Sequence, residues 1–300
     1  MSVNTSALGP YSAKITYTAG ESLANVMSAV DAWLTAHGWT LYDAAAGSNA
    51  KCYEAPNADG VTYKYIVLDF NTAGYILMKT YETWDVGAHS GTNMCYNSDN
   101  TAYAQRVDLA GGGDIYIFAA AQWCAIQTSI SAGVGSSTGN AWCGCFEFTR
   151  DNPEDTGAGG YPCFVWTNGY LISANITGVA AFPRIYFGNQ TGINAFNGSM
   201  LSTALTGMLG MNQSLGQVMP TAVYLWNNKN WALTLRIGSN GPDIRGRLYG
   251  LKMTTKNIGG FMDTMNIKVN ADFFYDVAGT LQLHSILSET TNNTRIAIPQ

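Results

Sequence analysis

The chain has 300 residues, of which 47% are hydrophobic and only 12% charged, and its formal net charge is −5. That balance gives no general attraction to nucleic acid. No window reaches the ~18 consecutive apolar residues of a membrane helix, and so few charges exclude a disordered polyelectrolyte.

The surface is left to Asn, Ser, Thr, Gly and Tyr, a composition suited to a subunit in lasting contact with neighbours. The nearest approach to a membrane span, Ile115–Ile130, is interrupted by Gln122, Gln127 and Thr128. The start, MSVNTSALGP, has neither a basic end nor an apolar core, so no secretory signal is expected and synthesis is placed in a cytoplasm. Six cysteines at irregular spacings are too sparse for a disulfide scaffold and are expected to be buried thiols.

In chain order, residues 21–37 carry the clearest helical pattern. Leu23, Val26, Met27, Val30, Trp33 and Leu34 fall on one stripe, and Gly38 is placed to end the helix. A strand is predicted at Trp39–Tyr42, then others at 51–55, 61–70 and 75–83. The last two are joined by a tight turn at Asn71–Gly74, where Asn and Gly tolerate positive φ. Positions 66–70 are apolar on both faces except Asp69, which predicts a central strand with the helix on one side. Residues 85–113 show no regular pattern and read as a long loop of the kind that carries contacts.

Strand character resumes at 114–128, and 131–140 is a small, polar loop or hairpin tip. Further strands are predicted at Trp142–Arg150, Cys163–Thr167, Arg184–Phe187, Ala222–Trp226, Trp231–Ile237, Ile244–Met253 and 266–288. Ala222–Trp226 and Trp231–Ile237 look like a hairpin, and 188–219 like a second extended excursion. The fold class expected is α+β: mainly antiparallel β-sheet, one N-terminal amphipathic helix packed on it, and long loops. It is read as a single domain over 1–300, with 131–140 the one joint at which a subdivision is considered.

The residues that could carry chemistry are scattered. His37, His89 and His284 lie far apart, and Cys143-x-Cys145 is one residue too tight for a CxxC knuckle, so no metal or cofactor is expected. His89 shares a loop with Cys95, yet no helix start or cation cluster marks that thiol as activated. Asp151, Glu154 and Asp155 have the density of a calcium loop without its spacing, and turns explain them as well. Glu147 and Asp151 lack the cleft that would make them a glycosidase pair. No enzyme is predicted. Arg245 and Arg247 share one face of a strand near Lys252 and Lys256. Phosphate or an acidic neighbouring subunit would suit them, and the net negative charge favours the latter. The strand tryptophans read as core, whereas Trp84 with Tyr81 and Tyr96 could stack on a glycan.

Several segments together resemble the virion structural proteins of tailed bacteriophages. They are Gly38-Trp39-Thr40 closing the helix, Tyr81-Glu82-Thr83-Trp84-Asp85 followed by Gly91-Thr92-Asn93, Phe146-Glu147-Phe148-Thr149-Arg150-Asp151, and Arg245-Gly246-Arg247-Leu248-Tyr249-Gly250-Leu251-Lys252. The resemblance is one of style over most of the chain and carries no catalytic residue with it. It implies a virion subunit made in the host cytoplasm, tail or baseplate before head decoration, with copies of itself and other virion proteins as partners. The alternative is a receptor- or glycan-binding module of the same particle, with a host-surface glycan as ligand. Tyr81, Trp84, His89, Met94, Tyr96, Tyr103, Arg245 and Arg247 are the candidate contact residues.

Overall fold

A computed structural model describes residues 2–58, 60–71, 74–81, 83–92, 96–97, 105–130, 142–150, 163–168, 183–187, 217–220, 232–238, 244–254, 270–275, 281–289 and 295–299. Side chains are described for most of 2–92 and for 107–128, 144–147 and 249–250; elsewhere the backbone alone is.

The chain opens with a hairpin, β1 (Val3–Gly9) and β2 (Ser12–Tyr17), followed by α1 (Leu23–Ala36). Next come β3 (Thr40–Gly47), β4 (Ala50–Pro56), β5 (Tyr63–Asn71) and β6 (Tyr75–Tyr81), which pair in sequence order as an antiparallel meander. A small hairpin follows, β7 (Thr83–Asp85) and β8 (Ser90–Thr92), then two short strands that pair on β6, β9 (Tyr96–Asn97) and β10 (Gln105–Arg106). The long hairpin of β11 (Gly113–Ala120) and β12 (Trp123–Ile130) joins β2 through β11. Beyond it run β13 (Trp142–Arg150), β14 (Cys163–Asn168), β15 (Pro183–Phe187), β16 (Gln217–Pro220), β17 (Ala232–Gly238), β18 (Ile244–Thr254), β19 (Asn270–Tyr275), β20 (Leu281–Glu289) and β21 (Arg295–Pro299).

Two main sheets result. The large one has thirteen strands in the order β1-β2-β11-β12-β13-β18-β21-β20-β19, with β14, β15, β16 and β17 branching from it. The small one has six, in the order β10-β6-β5-β4-β3 with β9 also on β6. Every strand pairing described is antiparallel, and α1 is the one helix among the described residues, so the expected α+β class holds.

Period-two alternation builds the core. Ile66, Leu68 and Phe70 of β5 and Ile76 and Met78 of β6 share one buried cluster with Ala13, Ile15 and Tyr17 of β2, Ile115 and Ile117 of β11, and Ile126 of β12. The two sheets therefore meet face to face. Helix α1 adds Val26, Met27, Val30 and Leu34 to the same cluster and packs on β1, β2 and β11 as well as on β3. The expected docking on the following sheet is thus half of the arrangement, because the large sheet covers the same inner face. Trp33 lies half-buried at the cluster's margin, stacked on His37 at 3.9 Å, so its ring is not the fully buried plug that the stripe suggests.

The helix ends are set locally. Ser22 Oγ accepts from Asn25 N–H at 3.2 Å, and Glu21 accepts from Ser22 N–H and the Asn25 side chain. The Asn25 bond leads in holding the Glu21 carboxyl below its usual pKa. At the other end Gly38 has φ +91°, and a Cβ there would come within 3.0 Å of Ala121. Lys51 and Tyr53 of β4 both donate to the Asp31 carboxylate and tie the helix to the small sheet. Burial, with Asp31 second, drives the Tyr53 hydroxyl pKa up.

One buried ion pair bridges the sheets. Lys64 of β5 is fully buried, and its Nζ lies 3.3 Å from Glu147 Oε2 of β13. Lys64 Nζ also donates to Pro56 O at 2.7 Å and sits 5.6 Å from the centroid of the Trp39 ring. Glu147 Oε1 accepts from Ala58 N–H at 2.6 Å, and Trp39 Nε1 donates to Ala120 O at 2.9 Å.

Several expectations are corrected. The stretch 85–113 is not one structureless loop: it contains β8, which pairs back on β7, two short strands on β6 and the buried Val107. The strand character expected over 114–128 is that of a hairpin, turning at Ala121 and Gln122. Strand β17 pairs with β16; the predicted partner 222–226 lies outside the described residues, as does 131–140. Strands β12 and β13, which flank 131–140, are neighbours in one sheet. Cys52, Cys124 and Cys145 are buried thiols, as expected of structural cysteines.

Replacing Lys64 by Met strands Glu147 in the core, and urea unfolding should show a loss of about 3–5 kcal/mol. Combining it with Glu147→Leu should recover most of that loss. A single variant within ~1 kcal/mol of the wild type would place the pair in solvent.

Candidate functional site

The outer face of the small sheet holds the one chemically distinctive cluster among the described side chains. Residues of β5 and β6 that do not face the core, Val67, Asp69, Lys79 and Tyr81, form its base. The β7–β8 hairpin folds over one side. Trp84, at the middle of β7, is buried against Ala50, Cys52 and Val67 and meets the Tyr81 ring edge-on, with centroids 5.2 Å apart. Gly91, its register partner on β8, lies on the Tyr81 ring so closely that a Cβ would come within 2.3 Å of it. Any side chain at 91 would therefore push the hairpin off the sheet.

Asp43 holds this hairpin down. It sits in β3 beside a register shift, and it is buried. Its Oδ2 accepts from Trp84 Nε1 at 2.9 Å and bonds His89 Nδ1 at 2.8 Å, while Oδ1 accepts from Ala45 N–H at 2.9 Å. Burial alone would raise the Asp43 pKa. The bonds from His89, Trp84 and Ala45 outweigh it and hold the carboxyl below its usual value. An ionised carboxylate only accepts, so Nδ1 of His89 carries a proton and donates it to Asp43 Oδ2 as a hydrogen bond. His89 pays for this position with a backbone φ of +49°, the only positive φ at a non-glycine residue among those described.

Between this hairpin and the β3–β4 turn is a cavity of about 550 Å³, within the ~300–1,000 Å³ range of small-ligand pockets. Ala46, Gly47, Ser48, Asn49 and Ala50 form one wall, and Trp84, His89, Ser90 and Gly91 the other. Among the described residues no three His, Cys, Asp or Glu side chains gather as metal ligands.

Of the residues singled out in the sequence, Tyr81, Trp84 and His89 come together here. Trp84 is a buried anchor whose N–H is already engaged, so its face is not offered as an open stacking platform. Tyr96 pairs through its backbone with Thr80 on the same sheet. Met94 and Tyr103 lie outside the described residues. Arg245 and Arg247 are on β18 of the large sheet, where Arg247 stands opposite Thr149 and Arg236. Asp43 carries no local signal, being a lone acid before a run of small residues and 46 positions from His89. Asp69, the one polar residue in the otherwise apolar run 66–70, is the available signal for the cavity floor. No protein-family model matches the chain, and no curated protein matches it.

Because the folded Asp43 pKa is depressed, its contribution to stability is present above its ordinary value of 3.8 and is lost as pH falls through the lower folded value. Asp43→Asn should remove that part of the acid dependence and shift Trp84 fluorescence to the red. An acid-unfolding profile unchanged by the substitution would show that Asp43 does not hold the hairpin.

Proposed function

We propose that the chain is a structural subunit of a tailed-phage virion, in the tail or baseplate, joined to neighbouring subunits in part through its sheet edges. The observation that carries this reading is β1. It is the outer strand of the large sheet, its sequence VNTSALG holds neither a charge nor a proline, and Asn4, Thr5, Ser6 and Ala7 are exposed. Soluble chains usually guard such an edge with lysine, proline or a bulge along its length. Here the only register shift is at the Ala7–Gly9 end. The corresponding edge of the small sheet, β3, is treated differently. It exposes Leu41 and Tyr42 but is broken by two register shifts, between Leu41 and Asp43 and between Asp43 and Gly47. A low-charge surface also lowers the desolvation penalty of lasting contact.

Analytical ultracentrifugation of the full chain should show concentration-dependent association, weakened in Thr5→Lys/Ala7→Lys while the monomer's circular dichroism is unchanged. A chain that stays monomeric, or association indifferent to those lysines, would remove the edge argument. Mass spectrometry of purified phage particles should find the chain as a stoichiometric component; recovery only from the soluble lysate would overturn the virion assignment.

A further inference from the structure

We propose that the cavity between the β3–β4 turn and the β7–β8 hairpin binds a small, neutral, polyhydroxylated ligand of the saccharide class. The inference is independent of how subunits associate. Its floor carries one carboxylate, Asp69, and one ammonium, Lys79, on adjacent antiparallel strands. Opposite charges side by side create no net field that would select an anion or a cation. They do supply strong acceptors and strong donors next to each other, which suits a ligand bearing a hydroxyl on successive carbons. The walls extend that alternation with the hydroxyls of Ser48 and Ser90 and the amide of Asn49.

His89 is the positioned element. Asp43 fixes its Nδ1 proton and the ring's orientation, so the imidazole, whose side chain is 47% exposed, presents Nε2 as a directed hydrogen-bonding atom at the cavity wall. Holding it there requires a backbone conformation that histidine adopts at a cost. A clamp that served only to fasten the hairpin would be complete with the Trp84 bond to Asp43. Adding a strained, half-exposed histidine to the same oxygen gives the cavity a preorganised hydrogen-bonding group, with its ring orientation already fixed.

The test is a titration of the full chain with glucose, galactose, N-acetylglucosamine and, separately, inorganic phosphate, following the Trp84 indole N–H by ¹⁵N NMR. At least one sugar should shift that signal saturably at millimolar concentration, and phosphate should not. Asp69→Ala should weaken the sugar about tenfold or more. Ser48→Trp, which obstructs the cavity without touching the Asp43 cluster, should abolish the shift even if the first variant folds poorly. No saturable shift with any sugar overturns the proposal, as does a shift with phosphate alone, which would make this an anion site centred on Lys79. A sugar response that survives Ser48→Trp also overturns it, since the ligand would then sit elsewhere.

Discussion

The buried pair between Lys64 and Glu147 is the constraint on which the arrangement of the two sheets depends. The two residues are 83 positions apart, on strands of different sheets, and both are shut off from water. Each charge loses several kcal/mol of hydration on burial, and their mutual attraction restores this only where the remaining hydrogen-bonding capacity is filled. Here it is filled: Pro56 O and Asn57 Oδ1 accept hydrogen bonds from the ammonium, and Ala58 N–H donates one to the carboxylate. The pair therefore adds little net stability over a well-packed apolar contact. What it adds is position. Sliding either sheet by one residue would strand two charges in a core of Ile, Leu and Phe, so one relative placement of the sheets is selected strongly.

That placement decides what the other face of the small sheet can be. Lys64, Ile66, Leu68 and Phe70 face inward, and alternation sends Tyr65, Val67 and Asp69 outward. Register with β6 then brings Lys79 opposite Val67 and diagonal to Asp69. The cavity floor is the reverse side of the core: a one-residue register slip would bury Asp69 and Lys79 and expose the apolar set. The β7–β8 hairpin seals part of this outer face through Trp84, and Asp43 supplies the acceptor that makes burying an indole N–H tolerable.

The legibility of the sequence follows from the range of the interactions. The helix was readable within two residues at its start because its stripe and its glycine stop are local, and Ser22 and Gly38 act within one turn of their own positions. The β5–β6 hairpin was readable for the same reason. Where the signal is tertiary it was missed. The β7–β8 hairpin has three-residue strands, too short for alternation to register, and it exists because Trp84 has the outer face of the sheet to pack on. The turn at Ala121 and Gln122 carries no Gly, Pro or Asn, so the break between β11 and β12 left no mark in a long apolar run. Asp43 joined the site through a contact across 46 residues, and Glu147, weighed as a catalytic carboxylate, instead neutralises a lysine from the other sheet.

The two buried carboxylates differ in what surrounds them. Glu147 is enclosed with Lys64, and both side chains are shut off from solvent, so the pair itself offers no exposed polar group. Asp43 is equally buried, but one of its partners is a half-exposed imidazole on a strained backbone at the wall of a cavity. Strain of that kind persists only where the surroundings over-determine it, and here they do, through Trp84 on the same oxygen and Gly91 on the Tyr81 ring. A hairpin could be fastened to a sheet with less. The first carboxylate fixes the relative position of the sheets; the second aims a side chain outward at some cost in backbone strain, and the proposed ligand site rests on that difference.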